Sequence, residues 1–294
     1  MNISFKNYIL ISLLGFAIST SFLITPGYGM LNPAENPDWK KSALIVKKNG
    51  KTLIQIGKCN DPHAPYSTFK VALVLMGFDA GILQAKDSPK WPFKNEYETK
   101  FQDWYTRDHG LEYHWCQDHT PATFMKNSVL WYSHQITERL GNEKFQNYVS
   151  KFGYGNKDVS GTPGKGDGLL NSWLGTSLQI SPCEQTEFLE NLLLGKLVLS
   201  KDSQEKTRGV MDREEEWDGW KLYGKTGGGS GGTGWFIGWV EKDQERIVFA
   251  QYLDLSDQNI DMEGLPFHKS IGLKAKEIVK TYVLTLLKQV DHAK

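Results

Sequence analysis

The sequence predicts a mixed α/β (α+β) fold, in which a central antiparallel sheet is flanked by helices and carries an inserted all-helical lobe. Strand-like segments occur near both ends of the chain, and helical segments occupy most of the region between them, roughly residues 85–200. Strands from both ends of the chain can pair in one sheet that packs against helices, so the long helical region between them indicates an inserted lobe. We find no internal repeat and no long linker.

A β-hairpin is predicted over Ala43–Ile56. Two β-type runs, ALIVKK and KTLIQI, flank the dipeptide Asn49-Gly50, which is the preferred sequence of a two-residue hairpin turn. Near the other end of the chain, apolar and aromatic runs separated by Gly-rich or charged turns predict an antiparallel meander over three segments: Trp220–Thr226, Trp235–Val240 and Arg246–Leu253.

A buried helix is predicted from Thr68 to about Ala80, with Ser67 as its N-cap. The segment is apolar almost all round, which is typical of a helix in the core of a domain. Lys70 follows Ser67 by three residues, so the two side chains should share one face at the start of the helix. A desolvated lysine can accept the proton of a serine hydroxyl, which makes this pair a candidate nucleophile and base. The alternative is a capped core helix whose lysine extends towards solvent.

Three further helices have sequence-encoded ends. Thr120-Pro121 predicts the start of a helix that runs to Leu140, stops at Gly141 and contains Ser128. A short amphipathic helix follows over residues 142–152, and Ser181-Pro182 opens another. The periodicity after residue 271 predicts a terminal amphipathic helix over Gly272–Leu287.

The first 29 residues predict a cleavable signal peptide. Lys6 supplies a short positive region, Ile9–Ile24 is apolar, and Gly27 and Gly29 are small residues ahead of a cleavage site. The alternative is a permanent membrane anchor, although the apolar run is short and contains hydroxyl residues. We therefore predict one catalytic domain over residues 30–294, exported to the periplasm, with no stable membrane attachment once the leader is removed.

The charge balance argues against nucleic-acid binding. The 34 basic side chains equal the 34 acidic ones, so the chain has no net charge to attract a polyanion. The three cysteines, Cys59, Cys116 and Cys183, allow one disulfide or none, and the sequence leaves all three pairings open.

Two sequence patterns resemble a nucleotide-binding loop and a metal site, but neither is expected to have that function. Gly219–Thr226 matches the P-loop expression, but apolar and aromatic residues occupy the required loop, and a Gly-rich segment follows where a helix should begin. A nucleotide hydrolase is therefore the least favoured function. His109, His114, Cys116 and His119 are close in sequence, yet their spacing matches no common zinc pattern, so we expect no metal site.

Three short motifs follow one another in the order Ser67-Thr-Phe-Lys70, Ser128-Val-Leu130 and Lys225-Thr-Gly227. Together they resemble the serine penicillin-recognising enzymes, and the S-T-F-K form resembles the class D (oxacillinase-type) β-lactamases. Further matches to that family extend the resemblance over essentially the whole mature chain: Tyr154-Gly-Asn156, Trp173-Leu174 and Gly234–Trp239. The resemblance implies a penicillin-recognising transpeptidase/β-lactamase fold.

The resemblance also implies roles for individual residues. Ser67 would attack the β-lactam carbonyl and form an acyl-enzyme. Lys70 would be carboxylated by CO2 or bicarbonate to N6-carboxylysine and act as base for acylation and deacylation. Ser128 would relay a proton to the leaving nitrogen, aided by the positive charge of Lys225. The backbone N–H groups of Ser67 and Gly228 would form the oxyanion hole.

Apolar neighbours are expected to keep the Lys70 amine neutral, which carboxylation requires. The resemblance assigns this support to Trp173, Val129 and Leu130. Here the sequence departs from the family, whose second motif is usually S-x-V, because Leu130 adds a methylene to the wall.

Recognition of the substrate carboxylate is a second departure. Many members of the family use an arginine in the final strand or helix, and this chain has none there apart from Arg246 at a strand start. The resemblance leaves five residues for substrate binding: Lys225, Thr226, Gly227, Ser128 and Ser270.

The implied function is hydrolysis of penicillin-type antibiotics, and hence resistance to them, with no cofactor beyond CO2 or bicarbonate. The alternatives are a penicillin-sensing receptor domain and a penicillin-binding transpeptidase, both of which are acylated without turnover. Neither the sequence nor the resemblance distinguishes a monomer from a homodimer.

Overall fold

The N-terminal hairpin and the C-terminal strands form a single sheet. The computed structural model describes residues 40–97, 112–217, 219–229, 231–257 and 271–292. Within this part of the chain, six strands form an antiparallel sheet in the order β2-β1-β6-β5-β4-β3. The predicted fold class is confirmed, because the N-terminal hairpin joins the C-terminal meander through the pairing of β1 with β6.

The strands are β1 (Ala43–Lys48), β2 (Lys51–Gly57), β3 (Asp212–Trp217), β4 (Trp220–Gly228), β5 (Thr233–Lys242) and β6 (Glu245–Asp254). The helices are α1 (Lys70–Asp79), α2 (Glu112–Trp115), α3 (Pro121–Asn127), α4 (Leu130–Phe152), α5 (Gly168–Asn171), α6 (Pro182–Leu193), α7 (Lys201–Val210) and α8 (Ile271–His292). A 3₁₀ turn, Tyr66–Phe69, precedes α1 directly.

The predicted N-terminal hairpin is confirmed. Asn49 and Gly50 connect β1 to β2 with φ angles of 51° and 75°, the left-handed conformation that a two-residue hairpin turn of this type requires. Strand β1 is almost completely buried along its length, because it pairs with β2 on one side and β6 on the other.

Helix α1 is the centre of the core. Every residue from Lys70 to Phe78 is buried, and the helix packs against α4 and α7. The prediction that Ser67 caps this helix is wrong: Ser67 lies inside the 3₁₀ turn, and no side chain caps either element at its start. The turn replaces the cap because its backbone already forms short-range hydrogen bonds, such as Thr68 N–H to the Pro65 carbonyl at 3.1 Å.

The helix predicted from Thr120-Pro121 to Leu140 is interrupted at Ser128, which is a second correction. Helix α3 ends there because Ser128 adopts the left-handed conformation, with φ 55° and ψ 38°. Helix α4 then starts at Leu130 and passes through Gly141, whose non-helical angles mark the predicted stop. Thr120 caps α3 as predicted, and Ser181 caps α6 in a capping box with Glu184.

Sequence reasoning missed four elements: the short helices α2 and α5, helix α7 and strand β3. Helix α7 has few apolar residues, and strand β3 is charged, so neither gives a clear hydrophobic pattern. Strand β3 forms because its backbone pairs with β4, from Trp217 opposite Trp220 to Asp212 opposite Gly224.

The segment that matches the P-loop expression is strand. Gly224, Lys225 and Thr226 lie in β4, which continues to Gly228, so no helix N-terminus is available there for a phosphate. No disulfide joins Cys59, Cys116 and Cys183, all of which lie within the described ranges. In the described ranges, no three potential ligand side chains converge as a metal site, and no helix has the length and hydropathy of a membrane span.

Several predictions concern residues outside the described ranges. The signal peptide at residues 1–29, His109 among the histidines and Ser270 among the substrate-binding residues all belong to this group. They remain predictions, as does the division into a leader and one catalytic domain.

Candidate active site

The predicted contact between Ser67 and Lys70 is present. Ser67 lies in the 3₁₀ turn and Lys70 is the first residue of α1, so the two side chains are on the same side of the chain. Ser67 Oγ and Lys70 Nζ are 2.9 Å apart, a hydrogen-bond distance. Only 1% of Lys70 is exposed, whereas Ser67 is partly accessible. A hydroxyl at the edge of the core therefore faces an amine inside it.

The environment of Lys70 disfavours its charged form. Burial is the main cause, and the positive charge of Lys225 adds to it; together they hold the pKa of Lys70 well below its ordinary value. An amine that is neutral near physiological pH can accept the proton of the Ser67 hydroxyl.

The K-T-G strand lies directly against the turn that carries Ser67. A β-carbon added to Gly227 would be 3.1 Å from Thr68 Cγ2 and 3.2 Å from the Pro65 carbonyl oxygen. The approach is so close that glycine is the residue that fits best. The charge of Lys225, which is itself 5% exposed, acts on Lys70 across this contact.

A network inside the core fixes the turn. Thr68 Oγ1 donates to the Pro65 carbonyl at 2.6 Å and accepts from Gln185 Nε2 at 3.0 Å. Gln185 belongs to α6, so a helix distant in sequence holds the residue next to the nucleophile. Sequence reasoning missed Gln185, because a glutamine in an amphipathic helix gives no sign that its side chain points inwards.

Trp173 packs beside the turn that carries Ser67, from a separate loop. It is fully buried, and its ring centroid is 5.4 Å from that of Phe69, the residue before Lys70. Its indole nitrogen is buried and has no hydrogen-bond partner within the described part of the chain. A buried donor without a partner is uncommon, and it marks a place where an acceptor can bind.

The Tyr154-Gly-Asn156 motif holds that loop in place. Asn156 Nδ2 donates to the Ser177 carbonyl at 2.8 Å, and the Asn156 N–H donates to the Gln179 carbonyl at 2.9 Å. The Tyr154 ring packs against Phe69, with centroids 5.2 Å apart. The motif therefore connects the loop that follows Trp173 to the start of α1.

Ser128, the predicted proton relay, lies between helices α3 and α4. Its Oγ is buried and has no hydrogen-bond partner among the described residues, Lys70 included. The neighbours Val129 and Leu130 are buried, as expected for an apolar wall.

Three of the candidate carboxylate-binding residues, Lys225, Thr226 and Gly227, follow one another in β4. Thr226 lies in β4 between the buried Lys225 and Gly227, and is itself partly exposed. Arg246 Nε lies 3.3 Å from Glu241 Oε2, near the turn between β5 and β6. Because Arg246 already pairs with a carboxylate, it is a poor candidate for binding the substrate carboxylate.

Tyr66 is a residue that sequence reasoning missed. It precedes Ser67 and adopts φ 47°, a left-handed conformation that is rare for a bulky side chain. Its N–H donates to the Trp173 carbonyl at 2.9 Å. No local propensity predicts this backbone, so the only available signal was an aromatic residue immediately before the nucleophile.

The chain is similar in sequence and in fold to known proteins. Residues 32–279 match the family model described as the penicillin binding protein transpeptidase domain. The chain is 39% identical over 239 residues to "Beta-lactamase OXA-9" of Klebsiella pneumoniae, covering 78% of this chain and 81% of that protein. It is 38% identical over 202 residues to "Beta-lactamase OXA-1" of Escherichia coli, covering 67% and 68%.

A solved structure agrees with these relatives. The crystal structure of the OXA-427 class D β-lactamase superposes with a TM-score of 0.71 at 36% identity, covering 84% of this chain and 99% of that one. The match to the family model covers more than half of the chain, and the paired Ser67 and Lys70 lie within it. The chain belongs to the class D β-lactamases, within the family of penicillin-binding transpeptidase domains.

Proposed function

We propose that this protein hydrolyses the β-lactam ring of penicillin-type antibiotics through an acyl-enzyme on Ser67, and so confers resistance to them. The observation that carries the proposal is the 2.9 Å contact between Ser67 Oγ and the buried Lys70 Nζ, whose pKa is held low. It places a partly exposed nucleophile beside an amine whose surroundings favour the neutral form, the form that can act as a base.

Acylation begins at Ser67, which lies at the edge of the core beside Lys70. Ser67 Oγ attacks the lactam carbonyl carbon while its proton passes to the base at Lys70. The carbonyl oxygen gains negative charge, which the N–H groups of Ser67 and Gly228 stabilise. The carbon–nitrogen bond of the ring then breaks, and Ser128 relays the proton from the base at Lys70 to the leaving nitrogen, which leaves the base free to act again.

The side chains around Lys70 fit a carboxylated lysine. A lysine must be uncharged to react with CO2, and burial together with Lys225 favours the uncharged form. The unpartnered Trp173 indole N–H supplies a donor for a carboxyl oxygen, and the unpartnered Ser128 hydroxyl supplies a second. When present, the carboxyl group provides a stronger base than the amine at the same position.

Deacylation completes the cycle. A water attacks the ester carbon of acylated Ser67 and gives its proton to the base at Lys70, and the Ser67 hydroxyl is regenerated. In this proposal Trp173 shields the base from bulk water while the attacking water reaches the ester. Turnover, rather than acylation alone, separates a β-lactamase from a penicillin sensor or a transpeptidase.

The substrate carboxylate is assigned to cationic and hydroxyl groups along β4. Lys225 and Thr226 supply a charge and a donor, Gly227 allows the substrate to approach the strand, and Ser128 and Ser270 complete the proposed set. Hydrogen bonds to a charged carboxylate are stronger than neutral ones, so hydroxyl donors can support a lysine here.

Steady-state hydrolysis of a penicillin, combined with intact mass, tests this function. We expect wild-type protein to turn over the substrate and to return to its unmodified mass. Ser67→Ala should lose at least about 10³-fold in activity and show no adduct, whereas the exposed Ser150→Ala should match wild type. An adduct on wild-type protein that persists for hours would instead identify a sensor or transpeptidase.

Bicarbonate tests the carboxylation of Lys70 separately. Protein stripped of CO2 at low pH should regain activity as bicarbonate is added, and the mass of gently handled protein should rise by one carboxyl group. An activity that does not respond across the titration contradicts the carboxylated base but leaves the acyl-enzyme intact.

We further propose that the leader at residues 1–29 directs the protein to the periplasm and is removed there. Fractionation of a producing cell, followed by N-terminal sequencing, tests both points. Expression in a susceptible host should raise the penicillin concentration that stops growth, and the Ser67→Ala variant should not.

A further inference from the structure

Tyr66 lies at the edge of the site, between two loops. Its ring fills the space between the loop that carries Trp173 and the end of strand β4, which carries the proposed oxyanion donor Gly228. A β-carbon added to Gly229 would overlap the Tyr66 ring, and one added to Gly175 would be 3.3 Å from the Tyr66 hydroxyl oxygen. Two glycines therefore make room for one aromatic ring.

An unusual backbone conformation sets the position of this ring. Tyr66 adopts φ 47°, a conformation that costs a bulky residue energy and that persists where surrounding contacts enforce it. The enforcing contact is the hydrogen bond from Tyr66 N–H to the Trp173 carbonyl at 2.9 Å. Strained residues of this kind cluster at functional sites, and this one directly precedes the nucleophile.

Strand β4 continues past the end of its pairing with β3, towards Tyr66. Pairing between β3 and β4 runs only from Trp217 opposite Trp220 to Asp212 opposite Gly224. Beyond Gly224, the register gives β4 no β3 partner within the described residues. An amide can bind to such an edge as an additional strand does. The acylamino side chain of a penicillin is an amide, and a path along this edge from Gly228 leads to Gly229 and the Tyr66 ring.

We propose that Tyr66 is a specificity-determining residue that contacts the acylamino side chain of the substrate. Glycines cover one part of the ring, and the side chain remains partly exposed, so it offers apolar surface to an aromatic substituent. The ring then favours penicillins with an aromatic side chain over the bare bicyclic nucleus. This inference rests on the proposed β-lactam hydrolysis and adds the part of the substrate that is selected.

Two substrates separate a contact with the side chain from a general effect on the site. Benzylpenicillin carries a phenylacetamido group, whereas 6-aminopenicillanic acid has the same nucleus with no acyl side chain. The measured quantity is the ratio of their kcat/KM values. Tyr66→Asn removes the ring and tolerates a positive φ. It should lower this ratio by about tenfold, mainly through the benzylpenicillin value.

Matched variants make the result decisive. Tyr66→Phe keeps the ring and should keep the wild-type ratio. If thermal melting shows that Tyr66→Asn does not fold, Tyr66→Gly serves in its place, because glycine adopts φ 47° without strain. An unchanged ratio, or an equal fall for both substrates, overturns the inference and leaves the proposed function standing. Wild-type protein that turns over neither substrate overturns the proposed function and this inference with it.

Discussion

Asn156 and Gln179 exchange two hydrogen bonds. The Asn156 N–H donates to the Gln179 carbonyl at 2.9 Å, and the Gln179 N–H donates to Asn156 Oδ1 at 3.1 Å. The pair joins the segment after α4 to the loop between Trp173 and α6. The loop that follows Trp173 is thus held by Asn156, which lies 17 residues before Trp173 in the sequence.

Gly155→Ala should destabilise this joint strongly. Gly155 has φ 52°, and an added β-carbon would overlap the Gln179 carbonyl oxygen. We expect a loss of roughly 3 kcal/mol in the free energy of unfolding, from overpacking and backbone strain together. Gly153→Ala is the matched control, since Gly153 has φ 59° but open space around it, and should cost about 1 kcal/mol. Denaturant titration measures both free energies of unfolding. Equal losses in the two variants would show that the close approach of the Gln179 carbonyl to Gly155 does not determine stability.

Lys70→Ala should separate acylation from turnover. Without a base, Ser67 reacts slowly at best, and the resulting ester is not hydrolysed, so kcat should fall by at least about 10³-fold. Stopped-flow absorbance and intact mass follow the two steps. The exposed Lys126→Ala controls for the loss of a positive charge. Wild-type turnover in Lys70→Ala would contradict the assignment of Lys70 as the base.

Lys225→Gln should move the acidic limb of the pH–rate profile to higher pH. Activity falls as the pH is lowered because a protonated Lys70 can neither accept the Ser67 proton nor react with CO2, so the acidic limb follows the Lys70 pKa. Burial is the larger cause of the low pKa of Lys70, and the charge of Lys225 lowers it further. Removing that charge therefore raises the Lys70 pKa.

The kcat/KM profile is the right measurement, because it reports the free enzyme. Lys221→Gln provides the control, since Lys221 is an exposed lysine on the same strand. At the optimum, Lys225→Gln should also lose roughly 10²-fold in kcat/KM through weaker electrostatic stabilisation. A limb that stays in place, or moves to lower pH, would show that Lys225 does not tune Lys70.

Trp173→Phe should slow deacylation by about 10- to 100-fold, the range typical of losing a supporting hydrogen bond to a reactive group. Phenylalanine keeps most of the apolar cover over Lys70 but lacks the indole N–H. More bicarbonate should then be needed to reach half of the maximal rate. Trp239→Phe is a matched control, because its indole nitrogen is also buried without a partner among the described residues, yet it stacks on Tyr223 in the sheet. Equal effects of the two variants would argue against a specific role for Trp173.

The sequence alone determined the elements whose signals are local. The Asn49-Gly50 turn needs left-handed angles that these residues adopt readily, and Ser181 with Glu184 forms a capping box over four residues. The spacing of Ser67 and Lys70 likewise predicted their contact, because residues three apart near a helix start share a face. The motif order then identified the family.

Tertiary structure decided what local signals cannot encode. Ser67 lies in a 3₁₀ turn rather than at a helix cap, because Gln185 and Pro65 hold Thr68 in that turn. Strand β3 exists because β4 supplies its hydrogen-bond partners, although its own sequence is charged. The low pKa of Lys70 depends on burial and on Lys225, which is 155 residues away along the chain. Burial and the approach of distant charges arise only when the chain is folded, so no window of sequence contains them.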